Sequence, residues 1–184
     1  DGSPLVGRDE EIGLLLRRWA QSKDGHGQAV LISGQAGIGK SALGEAVGAE
    51  VKKEDSIWTT FRFSPYYNNT ALYPVVERIK RLAQWEAGDS TYTRLAKLEQ
   101  LLASHEVAND EVVPLFADLV SLELPPGRYP PLNLTPQEQK QRTLDALVTW
   151  ILEQAEHGPI FQLWDDLHWA DHTTLELLGL LMDQ

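Results

Sequence analysis

The 184-residue sequence has no cysteine and a single methionine. Without cysteine, disulfides and cysteine-rich metal sites are excluded, while an oxidising compartment is neither required nor ruled out. Long hydrophobic runs are also missing: nothing approaches the roughly 18 apolar residues of a membrane span. The first residues lack the basic and apolar blocks of a signal peptide. A cytoplasmic protein with no membrane partner is therefore the expectation. Basic charge is scarce, with 16 Lys and Arg against 27 Asp and Glu and a net charge of −11. Arg17-Arg18, Lys52-Lys53 and Lys80-Arg81 are short pairs beside acids. A general nucleic-acid surface needs a basic patch, so direct nucleic-acid binding is not expected. An acidic chain can still bind ATP, because a pocket supplies its own local donors and a metal. The length and the 42% hydrophobic content fit one globular domain with a sizeable core.

What is present centres on Val30-Leu31-Ile32-Ser33-Gly34-Gln35-Ala36-Gly37-Ile38-Gly39-Lys40-Ser41-Ala42. The apolar triplet Val30 to Ile32 reads as a buried strand, and the spacing after Ser41 is helical. Between them lies G-x-x-x-x-G-K-S, in the strand–loop–helix context that a phosphate loop requires. Glycines at 34, 37 and 39 let successive backbone N–H groups turn towards phosphate oxygens, and the helix N-terminus adds partial positive charge. In that reading Lys40 reaches the β- and γ-phosphates and the Ser41 hydroxyl is a ligand for Mg²⁺.

Around this motif the periodicity predicts a series of elements. Ile12, Leu15, Leu16 and Trp19 mark a helix whose first turn is acidic. A helix from Lys40 to about Lys53 turns Leu43, Ala46, Val47 and Val51 inward, with Gly44 and Gly48 placed for close packing on a sheet. Ile57 to Phe63 reads as a strand ending in the loop Ser64 to Asn69. For that loop spacing alone leaves two readings, a ligand loop at a strand's carboxyl end and a plain surface loop. Residues 73–156 read as a mainly helical insert. It contains a helix opened by Pro74, another around Leu95 to Leu102, an apolar segment from Val112 to Leu124, and a proline-rich break at 125–131. A final helix starts at Thr135 with Pro136 at its first position and Glu138 completing a capping box. The leucines of this block read as core.

Ile160 to Trp164 is a strand candidate that ends in Asp165-Asp166, with Gln162 as a polar interruption. An apolar strand delivering two acids is what a phosphate loop requires as its partner. Asp165 is placed to hold the hydrated Mg²⁺ opposite Ser41, and Asp166 to orient and deprotonate the attacking water. Two acids that merely end a strand and cap a helix are the plain alternative. On chemistry alone His168 reads as a packed or capping histidine and Trp169 as core. Asp171 or Thr173 caps a last helix reaching about Met182.

Together, Leu5-Val6-Gly7-Arg8-Asp9-Glu10-Glu11, the stretch from Ser33 to Ser41, and Asp165-Asp166-Leu167-His168-Trp169-Ala170-Asp171 resemble the STAND-type AAA ATPase domains. The nearest likeness is to the predicted-ATPase domain of bacterial multidomain regulators, beside adenylate/guanylate cyclase or LuxR-type DNA-binding domains and before tetratricopeptide repeats. The resemblance implies an α/β fold, a P-loop NTPase three-layer sandwich with a mostly parallel sheet and a large helical insert. It implies ATP/ADP and Mg²⁺ as ligands, Val6 and Gly7 beside the adenine, Arg8 near the phosphates, and a slow ATPase switch within a longer parent chain. In that family a sensor strand, a further strand and a winged-helix part follow the acidic pair. A chain stopping at Gln184 is thus expected to be a partial domain, lacking the strand between the phosphate-loop strand and the Asp165 strand. Small-molecule phosphotransferases, origin-recognition-like DNA-associated AAA proteins and nucleotide-binding pseudo-ATPases are the competing classes.

Overall fold

The computed structural model describes residues 7–67 and 70–184. Its elements run α1 (Asp9–Lys23), α2 (Lys40–Val51), β1 (Ile57–Arg62), α3 (Tyr73–Leu82), α4 (Thr91–Ala103), α5 (Val112–Leu119), α6 (Pro136–Glu156), β2 (Ile160–Asp165) and α7 (His172–Met182), with a short 3₁₀ turn at Leu167–Trp169. None of these helices is long and apolar enough to cross a membrane.

β1 and β2 form a parallel pair in the register Ile57 with Ile160 through Arg62 with Asp165. Side chains alternate between the two faces of such a pair. One face presents Trp58 and Phe161, stacked with ring centroids 5.0 Å apart, together with Leu163. Helix α2 lies on this face through its two glycines. A Cβ added at Gly44 would fall 2.6 Å from Leu163 Cδ1, and one at Gly48 only 1.7 Å from Trp58 Cη2. Absence of a side chain at these two positions is what brings α2 onto the strands. A small cluster of Trp19, Val47 and Val51, with Ile12, Leu15, Leu16 and Phe161 packed against it, attaches α1 to α2. Trp19 Nε1 and Lys23 Nζ both donate to Glu54 Oε2, at 3.0 and 2.7 Å, closing this side.

The opposite face carries the main core. Phe61 and Phe63 bury into a cluster with Val75, Ile79, Leu98, Leu102, Leu115, Phe116, Leu147 and Trp150 from α3 to α6. Most leucines of residues 73–156 are thus buried in or packed against this core, as their spacing predicts, whereas Leu82 and Leu152 are exposed. Trp164 joins them, 4.5 Å from Phe61 between centroids, and its indole N–H donates to Gln162 Oε1 at 3.1 Å. The polar residue in the strand is thereby satisfied by its own strand neighbour. α6 carries the expected capping box: Glu138 N–H donates to Thr135 Oγ1, and Thr135 N–H to Glu138 Oε2 at 2.8 Å.

One expected element differs. Val30 to Ile32 form no strand; the segment has no ladder partner, and Val30 and Leu31 are 49% and 81% exposed. Three apolar residues cannot hold a strand by themselves, because their N–H and C=O groups need a neighbouring strand to satisfy them. The described sheet therefore has two strands, both parallel, where a wider mostly parallel sheet was expected.

Candidate functional site

The phosphate-loop motif folds as a turn leading into α2. Gly37 and Gly39 adopt φ of +79° and +93°, left-handed values that a side chain would strain. Gly39 is the N-terminal flanking residue of α2, so the helix starts at Lys40 directly after it. The Lys40 ammonium turns back over the loop and donates to the carbonyls of Gly34 and Gln35, at 3.0 and 2.8 Å. Ile38, 51% exposed, forms the outer lip, and its carbonyl accepts from Arg8 Nη2 at 3.2 Å. Arg8 is also paired with Glu11 at 2.7 Å, and the guanidinium beside Glu11 holds its carboxyl below the usual carboxylate range. Arg8 thus lies directly against the loop, and Gly7 precedes it at φ +77°. Val6 falls outside the described residues.

The second half of the site arrives from the far end of the chain. Ser41 Oγ donates to Asp165 Oδ1 at 2.8 Å, across a separation of 124 residues. The loop and the carboxyl end of β2 are therefore joined by a hydroxyl–carboxylate contact of the two side chains that sequence assigned to Mg²⁺. Asp166 follows with φ +61° and ψ +40°, a left-handed conformation that non-glycine residues seldom adopt and that clusters at functional sites. This kink follows the last residue of β2 and leads into the short turn Leu167–Trp169. The Asp166 carboxylate is 54% exposed and 3.9 Å from His168 Nδ1.

Neither His168 nor Trp169 follows its sequence reading. His168 is 64% exposed and Trp169 38%, so neither is packed in the core. The short turn Leu167–Trp169 carries both side chains past the edge of the helical core. Asp171 is the cap of α7, accepting from Thr174 N–H at 3.0 Å and also from Leu72 N–H at 3.1 Å. That second contact fixes the start of α3 beside the strand ends. Trp169 and Asp171 line a shallow cleft with Arg62, Ser64, Tyr67 and Tyr73, and the two tyrosine rings are stacked at 3.9 Å. Among the described residues no set of three or more His, Asp or Glu side chains is placed to cage a metal. A nucleotide-bound Mg²⁺ needs only one or two protein ligands, since phosphates and water supply the rest.

Arg62 and Glu45 were not singled out by sequence reasoning, yet they form an ion pair beside this site. The available signal was weak: a cation at the carboxyl end of a strand, in register with an acid that only tertiary pairing brings close.

The family model for the AAA ATPase domain matches residues 4–184. An uncharacterized protein of Rhizobium meliloti (strain 1021), R02095, is 27% identical over 178 residues, which is 97% of this chain and 17% of that protein. The chain thus spans less than a fifth of the length of the relative it matches. No solved structure matches. With Ser41 of the loop and Asp165 brought together and the family model covering nearly every residue, the chain belongs to the AAA ATPase domain family.

Proposed function

We propose that this chain is an ATP-binding switch module with slow ATP hydrolysis, acting within a larger signal-transduction protein. The observation that carries the reading is the Ser41–Asp165 contact beside a lysine already turned over the loop. The residues suit a Mg²⁺-nucleotide. Among the described residues Lys40 is held by two neutral carbonyls of the loop, and a phosphate oxygen is a stronger, charge-assisted acceptor for the same ammonium. The Ser41 hydroxyl and the Asp165 carboxylate are hard oxygen ligands that touch each other where the cation would be shared.

In this reading the backbone of Gly34, Gln35, Ala36, Gly37, Ile38 and Gly39 cradles the phosphates, Lys40 binds their outer oxygens, and Ala42 continues the helix N-terminus that faces them. Ser41 and Asp165 would hold Mg²⁺, which would supply charge that offsets that of the phosphates. Arg8, with Gly7 and Val6 before it, borders the nucleotide. Asp166 orients a water and takes its proton. An acid so exposed leaves the water poorly shielded from bulk solvent, which favours slow turnover. A switch needs nucleotide to bind two arrangements of the protein with different affinity, and slow hydrolysis suffices to reset it. The wider setting we propose is a three-layer P-loop sandwich with residues 73–156 as its helical insert. Its partners are further domains of a longer chain, a cyclase or DNA-binding domain and tetratricopeptide repeats, in the cytoplasm.

Calorimetric titration with ATP, with and without Mg²⁺, tests the reading. Tight binding in the parent that loses most of its Mg²⁺ dependence in Asp165→Asn supports it. Equal affinity of parent and variant with Mg²⁺ present would refute the metal assignment.

A further inference from the structure

The face of the strand pair that carries α2 ends in two charged residues, Arg62 on β1 and Asp165 on β2, which are register partners. Each is tied to the same helix. Asp165 accepts from Ser41 in the first turn of α2. Arg62 donates from Nη2 to Glu45, which stands four residues after Ser41 and so lies on the same side of the helix one turn on. Two side-by-side contacts therefore clamp the metal-binding end of α2 to the strand ends. They differ in kind. The Ser41–Asp165 contact joins the two side chains assigned to Mg²⁺, whereas Arg62 and Glu45 are 66% and 54% exposed. An exposed ion pair contributes little to stability and is readily exchanged for a better partner.

A nucleoside triphosphate supplies such a partner. Compared with a diphosphate it adds one phosphoryl group, with its negative charge, on the side of the loop where Ser41 and Asp165 meet. A guanidinium matches phosphate oxygens with two parallel N–H donors, a stronger arrangement than its exposed carboxylate pair. Lys40 lies over the loop and serves the phosphates common to both nucleotides, and Arg8 is held at the loop's outer lip by Glu11 and the Ile38 carbonyl. Arg62 is thus the cation beside the acid pair with a weak attachment to give up.

We propose that Arg62 is the positioning residue that distinguishes ATP from ADP: it leaves Glu45 for the terminal phosphate when triphosphate is bound and returns to Glu45 when that phosphate is lost. The Arg62–Glu45 tie between β1 and α2 is then made in the diphosphate and empty states and broken in the triphosphate state, while α2 stays packed on the strands through Gly44 and Gly48. This inference rests on the reading of Gly34 to Ala42 as the nucleotide site, and its test keeps the two apart.

The test compares affinities for a non-hydrolysable ATP analogue and for ADP, with Mg²⁺, in the parent, Arg62→Ala, Glu45→Gln and Lys40→Ala. Arg62→Ala is expected to weaken the triphosphate by about ten- to a hundred-fold, as for loss of a hydrogen bond to a charged group. ADP affinity is expected to stay within about two-fold of the parent, which also reports that the variant is folded. Glu45→Gln, by freeing Arg62, is expected to tighten triphosphate binding without altering ADP. Lys40→Ala should weaken both nucleotides. An Arg62→Ala variant with an unchanged ratio of ATP to ADP affinity overturns the role of Arg62 while leaving the site itself intact. A parent chain that binds neither nucleotide overturns both.

Discussion

Lys40 and Asp166 stand at opposite ends of the proposed chemistry, one for binding and the other for turnover, and their variants should separate along that line. Lys40→Ala removes the ammonium that turns back over the loop onto the Gly34 and Gln35 carbonyls. It is expected to cost about 3 kcal/mol of nucleotide affinity, roughly a hundred-fold, read by titration calorimetry. Asp166→Asn keeps the shape of an exposed residue with a left-handed backbone that asparagine tolerates. It should leave ATP affinity nearly unchanged while lowering phosphate release at saturating ATP by about 10²–10⁴-fold, the usual worth of a general base. Phosphate release equal to the parent's would remove Asp166 from the mechanism. These residues were legible in the sequence because a phosphate loop and an acid pair are short motifs whose chemistry is local. The Arg62–Glu45 pair was not, since the partners stand 17 positions apart and nothing between them hints at the register that sets Arg62 opposite Asp165. His168 and Trp169 illustrate the converse: an aromatic residue near a strand end is ordinarily core, but here the 3₁₀ turn carries both outward.

Among the elements, α2 decides how the loop meets the strands. Its two buried glycines are weak helix formers, and Gly48→Ala would gain about 1 kcal/mol of helix propensity. The added Cβ would, however, sit 1.7 Å from the Trp58 ring, which is itself held between Phe161 and the Lys52 ammonium. Displacing a stacked indole outweighs the propensity gain, so the variant is expected to be less stable by about 1–2 kcal/mol in urea unfolding. On the other face, Thr135→Ala removes a cap and half of a reciprocal capping box, at about 1 kcal/mol. The helices were largely readable because their apolar spacing and caps are encoded within each segment; α6 starts where Thr135, Pro136 and Glu138 say it should. The phosphate-loop strand was not, because a strand exists only with a neighbour, and the triplet Val30 to Ile32 carries no information about its partner.

At the scale of the whole molecule, two clusters of unequal size share one strand pair, and hydrogen-bonded acids lie around them. Glu11, Glu54, Asp89, Glu138 and Glu176 all have carboxyls held below the usual range, chiefly by hydrogen bonds to Arg8, Lys23, Lys97, Thr135 and Lys140 respectively. A lowered folded-state value means that the stabilisation is complete above the unfolded value and is lost as pH falls through the folded one. Chain stability should therefore be flat near neutrality and decline below about pH 4.5, with salt screening the more exposed pairs, such as Lys23–Glu54, more than the largely buried Asp89. An acid limb insensitive to salt would show that other groups control it. The central claim, a phosphate-loop-dependent nucleotide site in this AAA ATPase domain, is tested most directly by thermal unfolding of the chain with and without Mg²⁺-ATP, beside Lys40→Ala. At about 100 times its dissociation constant, ATP should add about 2.7 kcal/mol and raise the midpoint of the parent, whereas Lys40→Ala, about a hundred-fold weaker, should gain only about 0.4 kcal/mol. A midpoint unmoved by ATP in the parent, or raised equally in the variant, would contradict the account.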